Sequence, residues 1–107
     1  MTVLTIDGPE FRKHDSLWRV LHTTGRSQVA IMILAPGEAS SEAPSVHPGE
    51  DQLLYLIDGE VEAEIGQERQ RIFPGQLAVV PASTPHRFIN TGSTPARTLN
   101  IYTPPAY

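Results

Sequence analysis

The chain has 107 residues, a net charge of −4 and no cysteine. This length suits one domain, and the lack of cysteine excludes disulfides and thiolate metal sites. The few basic residues form no stripe that could follow a phosphate backbone, so we expect no nucleic-acid partner. No apolar run approaches the roughly 20 residues of a membrane span, and no basic leader precedes an apolar run at the N-terminus. We therefore expect a cytoplasmic protein with no membrane partner.

The first half of the chain favours short strands. Ten prolines in 107 residues argue against long helices, because proline ends regular elements. Residues 17–23 and 27–34 are rich in β-forming residues, and the intervening Thr24-Gly25-Arg26 predicts a hairpin. A polar connection, 38–49, follows and carries His47.

The second half continues this pattern. Residues 52–57 predict a buried strand, and Asp58-Gly59 predicts a two-residue hairpin turn into a strand at 60–65. That strand alternates apolar residues with three glutamates, which we expect to face water. Four more strands are predicted at 69–73, 76–80, 87–90 and 97–102. Many short strands joined by Gly and Pro turns predict an all-β antiparallel sandwich or barrel, as a single domain over residues 1–107.

Two of the four histidines lie in spaced patterns, whereas His14 and His22 match none and are interpreted as surface or interface residues. One pattern is Gly75-x5-Pro81-x-Ser83-x2-His86-x3-Asn90, and the other is Ser45-x-His47-x4-Gln52-x6-Gly59. Alternate residues of a strand share a face, so we expect Gln52 to point inward with Leu54 and Leu56. By the same rule His86 points inward with Phe88 and Asn90. An imidazole and an amide oxygen would converge if these strands faced each other across a barrel.

These patterns resemble the two signature motifs of the cupin family. The second motif is matched at Gly75, Pro81, His86 and Asn90, with Ser83 where the family has Gly. The first motif is matched at His47 and Gly59. The chain is thus similar to small single-domain bacterial cupins of the RmlC-like type. The resemblance implies a double-stranded β-helix (jelly-roll) barrel over about residues 28–105.

The resemblance also implies a metal site. His47 and His86 take the places of imidazole ligands, Gln52 stands where the family has a ligand Glu, and Ser45 stands where it has a first His. Two imidazoles with open positions suit one divalent transition metal ion, such as Fe, Mn, Ni or Zn. Gln52 could instead hydrogen-bond to metal-bound water or to backbone. A carboxylate could come from Glu42, Glu50 or Asp51, although Asp51 should face outward if Gln52 faces inward.

Other side chains suggest a pocket and a partner. Ser45, Phe88 and Tyr102 could line the site, although Phe88 and Tyr102 also suit an ordinary core. The opposite face of the Gln52 strand carries Leu53, Tyr55 and Ile57, and a second apolar face on a small barrel predicts a homodimer. Trp18 is interpreted as a core or dimer contact.

Cupins host many unrelated activities, so the resemblance gives a range of functions. It implies a metal-dependent enzyme, isomerase-, dioxygenase- or lyase-like, acting on a small sugar, keto acid or aromatic compound. One alternative is a non-catalytic barrel that binds a small molecule. Another is a degenerate cupin that holds no metal and serves dimerisation.

Overall fold

A computed structural model describes all of residues 1–107 and contains one short helix and eight strands. Every strand expected from the sequence is present, with bounds within one residue of the prediction. The elements are α1 (Pro9–Arg12), β1 (Leu17–Thr23), β2 (Gln28–Leu34), β3 (Asp51–Asp58), β4 (Val61–Ile65), β5 (Glu68–Ile72), β6 (Leu77–Val80), β7 (His86–Asn90) and β8 (Ala96–Thr103).

The strands form two antiparallel sheets. The larger has the order β1-β2-β8-β3-β6 and the smaller has the order β5-β4-β7. The all-β jelly-roll prediction is therefore confirmed. No helix in the structure is both long and apolar enough to cross a membrane.

The barrel interior is built from alternate residues of these strands. On β3 the buried positions are Gln52, Leu54 and Leu56, and on β7 they are His86, Phe88 and Asn90, as the alternation predicts. The two strands belong to different sheets, so their inward faces meet across the barrel. Eleven apolar residues from both sheets form the main core.

The outer face of the larger sheet is only partly covered. Near β2, Phe11 of α1 packs with Ile31 and Ile33 in a second apolar cluster. Farther along the sheet, the side chains of Leu77 and Val79 on β6 are more than half exposed. An apolar surface is thus left on the β3–β6 side.

The Asp58-Gly59 turn differs from the prediction. It does not close a hairpin, because β3 pairs with β6 and β8 whereas β4 pairs with β5 and β7. The turn carries the chain from the larger sheet to the smaller one. Gly59 has φ +91°, and a Cβ there would lie 2.8 Å from the carbonyl oxygen of Pro95. The turn therefore needs glycine for space as well as for conformation.

One glutamate of β4 also departs from the prediction. Glu64 is buried rather than solvated, because Arg87 lies directly opposite it on β7. The Arg87 Nε donates to a Glu64 carboxylate oxygen at 3.0 Å, and Arg69 lies 3.1 Å away. The hydrogen bond from Arg87 lowers the pKa of Glu64. Glu64 is thus buried as a carboxylate paired with arginine side chains.

The connection between β2 and β3 runs along the free edge of β7. Isolated bridges pair Ala39 with Ile89 and Ser45 with His86. The Ser45 bridge has two backbone hydrogen bonds, both 2.9 Å. This pairing satisfies the backbone groups of an edge strand and brings His47 next to His86.

Candidate metal centre

His86 opens β7 and is 3% exposed. Its Nδ1 lies 2.9 Å from the backbone carbonyl oxygen of Thr84. Because a carbonyl can only accept, Nδ1 carries a hydrogen, so in the neutral ring Nε2 is the nitrogen with the free lone pair. A hydrogen bond of this kind fixes the tautomer and the ring orientation of histidine ligands in metal sites.

His47 lies beside His86, at a ring-centroid distance of 5.1 Å and an interplanar angle of 33°. Burial lowers the pKa of His47, and the nearby His86 lowers it further. The ring is therefore neutral at physiological pH, which is the form that binds a metal. Imidazole nitrogens bind zinc at about 2.0–2.1 Å, and a centroid distance of 5.1 Å is compatible with two rings that share one cation.

Gln52 lines one pocket together with these two histidines. Its Nε2 donates to Asn100 Oδ1 at 3.0 Å, whereas its Oε1 is buried and has no hydrogen-bond partner. Leaving a buried acceptor without a partner costs about 1–3 kcal/mol. A cation or a bound water beside the two imidazoles would satisfy this oxygen. The donor set therefore fits the metal that the sequence motifs imply.

These three side chains line a pocket of about 70 Å³. Ser45, Phe88 and Tyr102 lie in its wall. Most of the other lining residues are aromatic or hydroxyl-bearing. The full set is Trp18, Met32, Ser40, Ser45, His47, Gln52, His86, Phe88, Tyr102 and Tyr107.

Two aromatic residues of the pocket were not predicted from the sequence. Trp18 lies 5.0 Å from Tyr107 between ring centroids; it lines the pocket and, at 43% exposure, is not a core residue. The Tyr107 hydroxyl lies 3.5 Å from His47 Nε2. Burial raises the pKa of Tyr102, and the partial burial of Tyr107 raises its pKa as well, so both phenols stay protonated. Only the register of β1, which places Trp18 opposite Met32, connects this tryptophan to the site.

The possible carboxylate ligands do not join this set. Glu42 and Asp51 are exposed, and Asp51 accepts a hydrogen bond from the backbone of Ala82. Glu50 is near enough to raise the pKa of His47 slightly, but its carboxylate accepts from the backbone of Gly49. No three His, Cys, Asp or Glu side chains form a metal-binding group anywhere in the chain. Any metal here depends on two imidazoles and an amide.

A larger cavity of about 520 Å³ lies elsewhere, beside β4, β5 and β6. Its wall includes Ile65, Ile72 and Leu77 but no histidine. Glu68 is the one acidic residue in the wall, and no base accompanies it. The side chains with a candidate chemical role therefore line the smaller pocket and not this cavity.

Residues 30–102 match the family model described as a cupin domain. The chain belongs to the cupin family. Its barrel is similar to the crystal structure of BH2720 from Bacillus halodurans, with a TM-score of 0.84 and 28% identity. That match covers 92% of this chain and 77% of BH2720.

Two curated relatives are longer than this chain. The uncharacterised protein YrkC of Bacillus subtilis is 33% identical over 100 residues, which cover 87% of this chain and 53% of YrkC. The tetracenomycin polyketide synthase protein TcmJ of Streptomyces glaucescens is 38% identical over 64 residues, which cover 60% of this chain and 42% of TcmJ. The chain spans about half the length of the curated relatives that it matches.

Proposed function

We propose that this cupin binds one divalent transition metal ion through His47, His86 and Gln52 and uses it to act on a small molecule. The observation that carries the proposal is one pocket lined by two neighbouring imidazoles and by Gln52, whose buried amide oxygen has no partner. An unpartnered buried acceptor is rare in folded proteins. Beside two histidines, it is well explained as one side of a ligand site.

Each residue has a separate part in this site. His86, fixed through Thr84, would present Nε2 to the cation. His47, kept neutral by its surroundings, would supply the second imidazole. Gln52 would add an oxygen without adding charge, so the cation would keep its full double charge. A cation held this way supplies Lewis acidity toward a carbonyl, or a place for dioxygen.

The size of the pocket limits the substrate. A volume of about 70 Å³ holds an ion with one or two waters, since a water occupies about 30 Å³ of liquid. A sugar, keto acid or aromatic ring would therefore present one polar group to the site while its body stays at the mouth. Tyr107, which is largely exposed, lies at that mouth. TcmJ is named as a polyketide synthase protein, so carbonyl-bearing compounds are the first class to test.

The activity test compares wild type with His86→Ala after loading with Fe²⁺, Mn²⁺, Ni²⁺ or Zn²⁺. Each protein is incubated with sugar, keto-acid and catechol panels while dioxygen uptake and product masses are followed. We expect metal-dependent turnover in wild type and none in His86→Ala. Tyr107→Ala should change the apparent KM for a bulky substrate more than kcat, because this residue lies at the mouth. Absence of turnover in every panel would contradict the enzymatic part of the proposal.

The competing function is a metal-free barrel that binds a small molecule. It is favoured by the absence of any carboxylate ligand and by Ser45 in place of a first histidine. A ligand-induced rise in melting temperature without metal would support it. The same rise only in metal-loaded protein would support the metal site.

A further inference from the structure

Behind the pocket, a line of buried polar side chains leads away from Gln52. Gln52 Nε2 lies 3.0 Å from Asn100 Oδ1, and Asn100 Nδ2 lies 2.9 Å from the Thr98 hydroxyl. The Thr98 hydroxyl lies 2.8 Å from the backbone carbonyl oxygen of Met32. Thr98 and Asn100 are both 0% exposed, so water cannot replace any of these contacts.

We call the hydrogen-bonded series Gln52–Asn100–Thr98–Met32 the relay. Which atom donates in each of its hydrogen bonds is fixed at the Met32 end. The carbonyl of Met32 can only accept, so Thr98 must give it the single hydroxyl hydrogen. Thr98 is then an acceptor toward Asn100, which must present its NH₂ group there. The Asn100 oxygen therefore faces Gln52 and takes a hydrogen from the Gln52 NH₂ group. The remaining Gln52 atom, Oε1, is left for the pocket.

We infer that Asn100, oriented by Thr98, is a positioning residue that locks the Gln52 amide with its oxygen toward the pocket. This inference rests on the proposed metal site, because the oxygen matters only if something binds there. Without the relay, the Gln52 side chain could turn over and present NH₂, which repels a cation. The relay therefore decides whether Gln52 is a ligand.

The relay also favours Gln over the family's Glu at position 52. A carboxylate would place an acceptor oxygen against Asn100 Oδ1, with no hydrogen between them. Rotation of Asn100 would then turn its oxygen toward Thr98, and Thr98 would have to abandon the Met32 carbonyl. In the first case the buried Asn100 oxygen would lose its partner, and in the second the Thr98 hydrogen bond to Met32 would be lost.

The test uses NMR of the full isotope-labelled chain, first metal-free and then titrated with Zn²⁺. In metal-free wild type, we expect slow solvent exchange of the Gln52 NH₂ hydrogens. On titration, the Gln52 side-chain carbonyl resonance and the His47 and His86 ring resonances should shift together. Thr98→Val removes the hydroxyl but keeps the shape, and it should speed up that exchange and weaken Zn²⁺ binding about 10-fold. Thr98→Ser restores the hydroxyl and should recover both properties.

A matched control separates positioning from general loss of stability. Ile33→Val shortens a buried side chain in the outer apolar cluster, so it should lower the unfolding midpoint without changing Zn²⁺ affinity. If Thr98→Val binds Zn²⁺ as wild type does, or if Zn²⁺ moves the histidine resonances but not the Gln52 carbonyl, the inference is wrong and the metal site stands. If Zn²⁺ moves no histidine resonance, the proposed function fails. The exchange rates in metal-free Thr98→Val and Thr98→Ser then decide whether the relay orients Gln52, and equal rates would refute it.

Discussion

The backbone N–H of Ser83 donates a 2.9 Å hydrogen bond to the carbonyl oxygen of His47. The Ser83 hydroxyl also donates to the carbonyl oxygen of Pro48 at 2.9 Å. Ser83 stands where the family motif has Gly, and its φ of +64° explains that preference. A serine here carries some backbone strain but fixes the loop that presents His47.

Two substitutions at Ser83 should separate the strain from the hydrogen bond. Ser83→Ala keeps the strain and loses the hydroxyl, so we expect a loss of about 1 kcal/mol in the free energy of unfolding. Ser83→Gly also loses the hydroxyl, but it removes the strain. A left-handed backbone conformation costs about 1–2 kcal/mol in a residue that has a Cβ, and glycine has none. Urea denaturation should therefore find Ser83→Gly more stable than Ser83→Ala. The reverse order would show that the positive φ costs little here.

Gly59→Ala should be strongly destabilising. A Cβ would meet the Pro95 oxygen and the Ala96 Cα, both at 2.8 Å, while φ is +91°. We expect a loss of about 2–3 kcal/mol, from strain and overpacking together. Gly49→Ala is the matched control, since a Cβ there meets no atom within 4 Å. Urea denaturation of both variants checks this, and a similar small loss in each would argue against the tight turn.

The metal-free protein should lose stability at mildly acidic pH partly through His47. Its pKa is below the usual 6.5 in the folded chain, so the unfolded chain binds this proton more readily. Stability is then complete above pH 6.5 and falls as the pH drops toward the folded pKa. His47→Gln should show a smaller drop in urea midpoint between about pH 7.5 and 5.5 than wild type. Exposed His22→Gln is the control and should behave as wild type; an unchanged drop in His47→Gln would contradict the role of His47.

The uncovered apolar side of the larger sheet motivates a homodimer, which we propose as the state in solution. Tyr55 pairs in register with Leu77, and Leu53 pairs with Val79, so the exposed apolar side chains are contiguous. Leu77→Lys places a charge within this surface and should shift the mass measured by light scattering from dimer to monomer. Val3→Lys adds the same charge at the exposed N-terminal segment and should leave the mass unchanged. A monomeric wild type would refute the proposal.

Most of the fold follows from local patterns in the sequence. The alternation of β3 and β7 sorted Gln52 and His86 to the interior, because the period of a strand fixes its faces. The destination of the Asp58-Gly59 turn could not be predicted in this way. An Asp-Gly pair indicates a tight local turn, not which strands become neighbours, and here the neighbours of β3 are the distant β6 and β8.

Only part of the candidate site could be predicted from the sequence, because local patterns do not show which strands become neighbours. His47, His86 and Gln52 lie in spaced motifs. Trp18 reaches the pocket through strand pairing, and Tyr107 is held by backbone hydrogen bonds to the Gln28 side chain; neither residue has a motif. The relay does have a recognisable pattern in the sequence. Thr98, Asn100 and Tyr102 alternate along β8 and form a polar or amphipathic inward face, which is unusual for a barrel core. Such an alternation of polar residues along one strand indicates a buried polar network.

The most direct test of the metal site is the metal content of untagged protein after loading with a divalent transition metal and exhaustive dialysis. We expect about one ion per chain in wild type, because His47, His86 and Gln52 line one pocket and offer donors that suit such a metal. His86→Ala should retain almost none, while His22→Ala should retain the wild-type amount. If wild type retains no metal, or if His86→Ala retains as much as wild type, the proposed metal site is wrong.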